Sequence, residues 1–243
     1  MDNVMYLKAV SIHADRFPRS DVYPFNVRIL NATPQITFQK PATLFTGANG
    51  TGKSALLDAI ARKSGLLPWG GGKMHTSHQN PYETQLARYI SLQVNSWRPY
   101  GFYFRAEAFF NFASSLDDII TDDPGRETYF GGKSLNTLSH GESFLAFFQS
   151  YCFHLDGLYL LDEPEAALSP ENQVEFVKIL QKNMMNGNKQ YVIATLSPII
   201  SACPDAQILS FDHETISPIS YEESAPYRFY QDFFRKPEEF FSL

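Results

Sequence analysis

The segment Gly47-Ala48-Asn49-Gly50-Thr51-Gly52-Lys53-Ser54 constrains this chain more than any other stretch. It fits G-x-x-x-x-G-K-[ST], in which glycines let successive backbone N–H groups turn inward and approach phosphate oxygens that a Cβ would hold off. A helix beginning at Lys53 aims the positive end of its dipole at the same anion. Lys53 adds a point charge toward the β and γ phosphates, and the Ser54 hydroxyl is placed to ligate Mg2+. Context argues against a chance glycine turn. An apolar run at residues 42–46 reads as a buried strand before the loop, and Ala55, Leu56, Ala59 and Ile60 give the following helix, residues 53–63, an apolar face. The expected nucleotide-binding residues are therefore those of the loop together with Ala55.

The other half of such a site is an acidic strand end. Residues 158–161 form an apolar run closed by Asp162 and Glu163. Side chains alternate along a strand, so the two carboxylates are expected to leave it in different directions. Asp162 is expected to hold Mg2+, directly or through water, and Glu163 to polarise the water that attacks the γ-phosphate. Strands often end in solvated acids, but here the phosphate loop supplies the complementary part.

The rest of the chain alternates strands with helices. β-like runs at residues 4–12, 25–30 and 36–38 are broken by Pro18, Pro24 and Pro34, and residues 65–82 read as a surface loop. A strand ends at residues 101–105 and precedes a helix. Beyond residue 139 come a helix at 142–155, a strand at 158–161, a helix at 170–185, a strand at 191–195 and a β run at 207–211. The fold class is α/β: a mostly parallel central sheet covered on both faces, with an antiparallel β N-terminal part. With 243 residues, 44% hydrophobic and 19% charged, the chain can bury a core without staples and is not a disordered one. Its net charge of −6 argues against a surface built to grip nucleic acid, leaving only a local basic patch for that role. No stretch approaches the roughly 20 apolar residues that span a bilayer, so no membrane insertion is expected. The first residues carry no secretory pattern, and Cys152 and Cys203 alone suit a reducing compartment, so a cytoplasmic location is expected.

Leu138-Ser139-His140-Gly141-Glu142 adds what those elements alone do not. Ser139 and Glu142 make an S-x-x-E capping box some two dozen residues before Asp162, room for one helix and one turn. This arrangement resembles the signature of ABC ATPases, usually Leu-Ser-Gly-Gly-Gln. Glu165-Ala166-Ala167-Leu168-Ser169-Pro170 sits where that family carries its dimer-contacting D-loop, and Ser169 reads as an N-cap with Pro170 at the first helical position. Tyr23-Pro24-Phe25, residues 101–107, residues 139–146 and Asp232-Phe233-Phe234 extend the likeness nearly end to end. The chain resembles the compact stand-alone bacterial ABC-type ATPases, also described as AAA-family, of the SMC/RecF-like branch.

The resemblance implies one ABC-type domain over residues 1–243. Residues 1–85 and 156–243 would form its nucleotide-binding core, and about 86–155 a small helical subdomain carrying the signature. It implies a homodimer that sandwiches two ATP molecules with Mg2+, each phosphate loop facing the partner's Ser139, His140, Gly141 and Glu142. Glu107, or Arg105, falls where the family has a Mg2+-sensing Gln, with Gln93 as a weaker candidate; Glu107 also reads as a surface acid paired with Arg105 or Arg126. After the strand at 191–195, relatives read Ala-Thr-His-Ser-Pro, the His contacting the γ-phosphate. Here Leu196 stands at that catalytic position, and leucine donates no hydrogen bond. It reads equally as an apolar strand end, and His140 of the opposite subunit is a candidate substitute. The implied function is an ATPase whose dimerisation acts on a partner protein, an effector in a bacterial defence operon. The alternatives are a hydrolysis-deficient sensor or scaffold and the ATP subunit of a transporter. Arg16, Tyr23 and Phe25 are all open as the adenine contact. The Phe-rich residues 102–112 are expected in the core of the helical subdomain, and the aromatic C-terminus reads as a helix docked on this domain or on another protein. No heptad arms lie between Ser54 and Leu138, which removes long-reach DNA tethering.

Overall fold

The computed structural model describes residues 5–66, 68–69, 80–95, 100–106, 140–150, 155–185 and 188–241. The chain runs through β1 (Leu7–Ile12), α1 (Arg28–Ala32), β2 (Gln35–Thr37), β3 (Ala42–Thr46), α2 (Lys53–Ser64), β4 (Pro68–Trp69), β5 (Ile90–Val94) and β6 (Gly101–Arg105). It continues with α3 (His140–Gln149), β7 (Gly157–Asp162), α4 (Pro170–Met185), β8 (Lys189–Ala194), α5 (Pro198–Ser201), β9 (Gln207–Ser210), β10 (Ser217–Ile219) and α6 (Ala225–Arg235).

Among the described residues, seven strands form one sheet in the order β10-β9-β3-β8-β7-β6-β4. Every neighbouring pair is parallel except β10 and β9. A second sheet, β2-β1-β5, is antiparallel, with Val10 opposite both Ile36 and Leu92. The α/β class with an antiparallel N-terminal part is what the alternation of elements implied. Burial on both faces explains why the central strands are apolar throughout. Along β7, Leu158 and Leu160 enter one core while Tyr159 and Leu161 enter the other; Val192 and Ala194 part from Tyr191 and Ile193 in the same way along β8. The first core holds α2, whose Ala55, Leu56, Leu57, Ala59, Ile60 and Ala61 are all buried between the two sheets. The second is aromatic: Phe104 meets Phe144 at 5.2 Å, Phe144 stacks on Phe148 at 4.6 Å, and Phe148 meets Phe176 of α4 at 4.9 Å. Residues 102–105, expected in the core of a helical subdomain, instead belong to the central sheet, where parallel pairing with β7 buries residues 102–104, and residues 107–112 lie outside the described residues.

Residues 25–30, expected as β, instead lead into α1. Asn31 Nδ2 donates to the carbonyls of Phe25 (2.7 Å) and Val27 (2.9 Å), and Thr33 Oγ1 donates to Ile29 O (2.7 Å). These side chains close a helical turn between two prolines, and burial of Ile29 and Leu30 holds it against the core. Helix α3 is shorter than expected at its C-terminal end, where Ser150 N–H donates to Phe147 O at 3.0 Å. Helix α4 matches its reading, with Ser169 Oγ accepting from Asn172 N–H at 3.3 Å.

One glycine fixes where β6 can lie. Gly101 has φ +133°, and a Cβ there would run into the backbone carbonyl of Leu158 on β7. Gly101→Ala is expected to cost about 2–4 kcal/mol, read as a lower urea midpoint with an unchanged m-value.

Candidate nucleotide site

The phosphate loop leaves the C-terminal end of β3 and enters α2, with Gly47, Gly50 and Gly52 at φ 145°, 82° and 96°. Lys53 is only 4% exposed; its ammonium donates to the carbonyls of Gly47 (2.7 Å) and Ala48 (2.8 Å), and burial lowers its pKa against the pull of Glu163 and Asp212. Thr51 Oγ1 donates to Ala48 O at 2.9 Å. Asp212, just beyond β9, accepts from the Ala48 N–H at 2.7 Å, and a Cβ at Gly47 would press on its Oδ1 at 3.0 Å. Asn49 is exposed at the loop tip and Ala55 is buried on α2.

Across from α2, β7 ends at Asp162. Its Oδ1 accepts from Ser54 Oγ at 2.8 Å, and its Oδ2 accepts from Tyr103 OH at 3.3 Å, with Arg105 Nε at 3.8 Å. Burial raises the Asp162 pKa, opposed by the Ser54 hydrogen bond and the Arg105 charge, and burial next to Asp162 also drives the Tyr103 phenol upward. The strand stops there. Glu163 sits in the left-handed region (φ 51°, ψ 51°) while its N–H donates to Ala194 O at 2.9 Å. A turn, rather than strand alternation alone, therefore separates the two carboxylates, at a backbone cost of order 1–3 kcal/mol. Ser54, Arg105, Ala106, Asp162, Glu163, Ala166 and Ala167 line a cleft of about 420 Å3. Its hard oxygen donors fit Mg2+, which commonly takes one or two carboxylates together with substrate phosphate oxygens rather than a protein cage. No cluster of three His, Cys, Asp or Glu side chains occurs among the described residues.

In the sequence Glu165 stands out only as the first residue of the segment 165–170. In the fold its Oε1 accepts from the N–H groups of Leu196 (2.5 Å) and Ser197 (3.2 Å), while burial raises its pKa against the Leu196 hydrogen bond. Leu196 is half-buried. With Pro170, Pro198, Ile199, Tyr230 and Phe234 it lines a largely apolar groove of about 670 Å3. That groove runs along α6, which buries none of its residues fully and leaves Phe229 and Phe234 exposed. Tyr103, Asp212 and Glu165 are contacts that the sequence did not reveal, since their partners lie 59, 164 and 31 residues away.

Gly141 and Glu142 lie in the first turn of α3, and a Cβ at Gly141 would strike the side-chain amide of Asn172 at the start of α4. The backbone of His140 begins the helix; its side chain, with Ser139 and Glu107, lies outside the described residues. Gln93 is exposed on β5 of the smaller sheet, away from the cleft. Of the three adenine candidates, Phe25 is fully buried and Arg16 is exposed beside Asp15 at 3.8 Å. Tyr23 lines the hollows on either side of the loop, one with Ala55 and Asp58, the other with Gly50 and Thr51.

Residues 25–62, which contain the phosphate loop, match the AAA domain family. No curated protein matches the sequence. Among solved structures, the chain is similar to the SMC head domain from Thermotoga maritima, at 15% identity and a TM-score of 0.48, over 89% of this chain and 100% of that one. It is also similar to cbiO1 from Clostridium perfringens, part of the ABC transporter complex cbiONQ, at 16% identity and a TM-score of 0.49, over 97% of each chain. No helix among the described residues is long and apolar enough to cross a membrane.

Proposed function

We propose that this chain is a compact, stand-alone ABC-type ATPase of the SMC/RecF-like branch that binds Mg-ATP between two copies of itself. The observation that carries the reading is the 2.8 Å contact between Ser54 and Asp162, which joins the phosphate loop to the acidic strand end across 108 residues of sequence. A fortuitous glycine turn has no reason to meet a buried carboxylate flanked by Glu163.

In this reading the backbone of residues 47–54 and Ala55 hold the phosphates, and Lys53 answers their charge. Ser54 and Asp162 would hold Mg2+, which when bound screens the phosphate charge and orients the terminal group. Glu163 accepts the proton of the attacking water. Ser139, His140, Gly141 and Glu142 of the second copy close the site, Glu107 serves as the Mg2+ sensor, and residues 1–85 and 156–243 form the core to which a subdomain at about 86–155 belongs. The dimer acts on a protein effector in a cytoplasmic bacterial defence system; nucleic acid has no support in the charge balance.

The position of Leu196 favours a second reading, a non-hydrolysing ATP sensor or scaffold, because its side chain lines the apolar groove. Steady-state phosphate release separates the two. Turnover well above a phosphate-loop lysine variant supports the ATPase, and turnover at that background supports the sensor. Leu196→His should raise the rate by about tenfold or more, since one positioned donor to a developing oxyanion is typically worth ~10²–10³.

A further inference from the structure

Helix α6 carries more apolar surface than its own domain covers. Of the ten large hydrophobic side chains exposed among the described residues, five lie between residues 229 and 241, with Phe234 and Phe241 at 74% and 73%. These rings are joined to one another. The turn Pro237–Phe240 folds back so that Phe240 meets Phe229 at 5.4 Å and Phe233 at 5.5 Å. Phe233 also meets Phe241 at 6.1 Å and Phe234 at 5.8 Å. The result is one contiguous ridge, already ordered ring against ring, so covering it costs little side-chain entropy. Its exposed part amounts to roughly 500 Å2, at about 200 Å2 for a whole aromatic side chain. That is at the upper end of what a monomer leaves in one patch.

A neighbouring face of the same helix is concave. Tyr227, Tyr230 and Phe234, at helical spacing, wall the apolar groove of about 670 Å3 together with Leu196 and Ile199. A ridge and a groove side by side on one element make a self-complementary patch, as a two-fold contact requires: the ridge of each copy fills the groove of the other. With the groove walls added, the apolar area is on the scale of the about 800 Å2 per partner that a stable interface buries.

Charge selects the occupant. Over residues 225–241, Arg228, Arg235 and Lys236 balance Asp232, Glu238 and Glu239, in a chain of net charge −6. Anionic lipid or nucleic acid finds no excess of positive charge there. A second copy meets no one-sided repulsion on this stretch, and a two-fold axis lets the acids of one copy face the bases of the other. We propose that α6 and the turn Pro237–Phe240 form a homodimer face that closes without nucleotide, the aromatic ridge of each copy seated in the groove of its partner.

Sedimentation equilibrium of the full chain without nucleotide tests this, and wild type is expected to be a dimer at micromolar concentration. Phe234→Asp and Phe241→Asp each put a charge into the contact without replacing a buried side chain. Either should weaken dimerisation by about tenfold or more while the far-UV circular dichroism spectrum stays that of wild type. Loss of the dimer in either variant, with that spectrum unchanged, supports the face. A monomeric wild type, or a dimer that survives both substitutions, overturns it. So does a monomer that sediments with phosphatidylserine vesicles, which would assign the ridge to a membrane surface. The solution holds no nucleotide, so the ATP sandwich contributes to none of these readings and the two proposals fail separately.

Discussion

Glu163→Gln is expected to lower steady-state phosphate release by about 10²–10⁴ while leaving Mg-ATP affinity equal to or tighter than wild type. The amide keeps the size of the carboxylate but presents an NH2 donor in place of one acceptor oxygen and cannot take a proton. Removing one negative charge from a cleft shared with Asp162 also favours the bound triphosphate. The backbone at this residue is held independently of the side chain, by the bond from its N–H to Ala194 O at 2.9 Å and by the Pro164–Ala167 turn that follows. The substitution therefore changes chemistry more than shape. With hydrolysis stopped, the ATP-bound dimer should accumulate, and light scattering should show the mass doubling on addition of Mg-ATP. A monomer at saturating Mg-ATP would count decisively against the sandwich.

The second large effect belongs to Lys53. Its alanine variant should bind Mg-ATP about 10²-fold more weakly or worse, since charge-assisted bonds to phosphate are worth ~1.5–3 kcal/mol each. Binding is lost without unfolding. Burial lowers the lysine pKa, so the fold disfavours the charged form, which offsets part of what its bonds to Gly47 O and Ala48 O contribute to the empty protein. Melting of the nucleotide-free variant should stay near wild type, and calorimetry should register the loss. Retention of full ATP affinity would overturn the placement of phosphate in the loop.

The parts of the molecule that local sequence can encode are readable from it directly. The phosphate loop is a contiguous string, the start of α4 is written in Ser169 and Pro170, and the apolar runs of β3, β7 and β8 imply strands buried on both faces. What was not readable is long-range. Nothing near Ala48 points to Asp212, and nothing near Leu196 points to Glu165; those contacts exist only once β9 lies beside β3 and β8 beside β7. Residues 25–30 misled because their β-branched and apolar composition suits a strand, whereas side chains of Asn31 and Thr33 close them into a helical turn. Arg105 is a candidate in the sequence, but its pairing with Asp162 exists only through the register of β6 against β7.

Glu165 has a mechanical consequence. One carboxylate oxygen ties the turn behind Glu163 to the N–H groups of Leu196 and Ser197, just beyond β8. Pulling these loops apart would leave the Leu196 amide and a buried acid without each other, while Ser197 N–H keeps its bond to Thr195 Oγ1, at a cost on the order of 1–3 kcal/mol. They therefore travel as a single lever. A displacement of the segment that begins at Leu196 is thereby passed to the turn that follows Glu163.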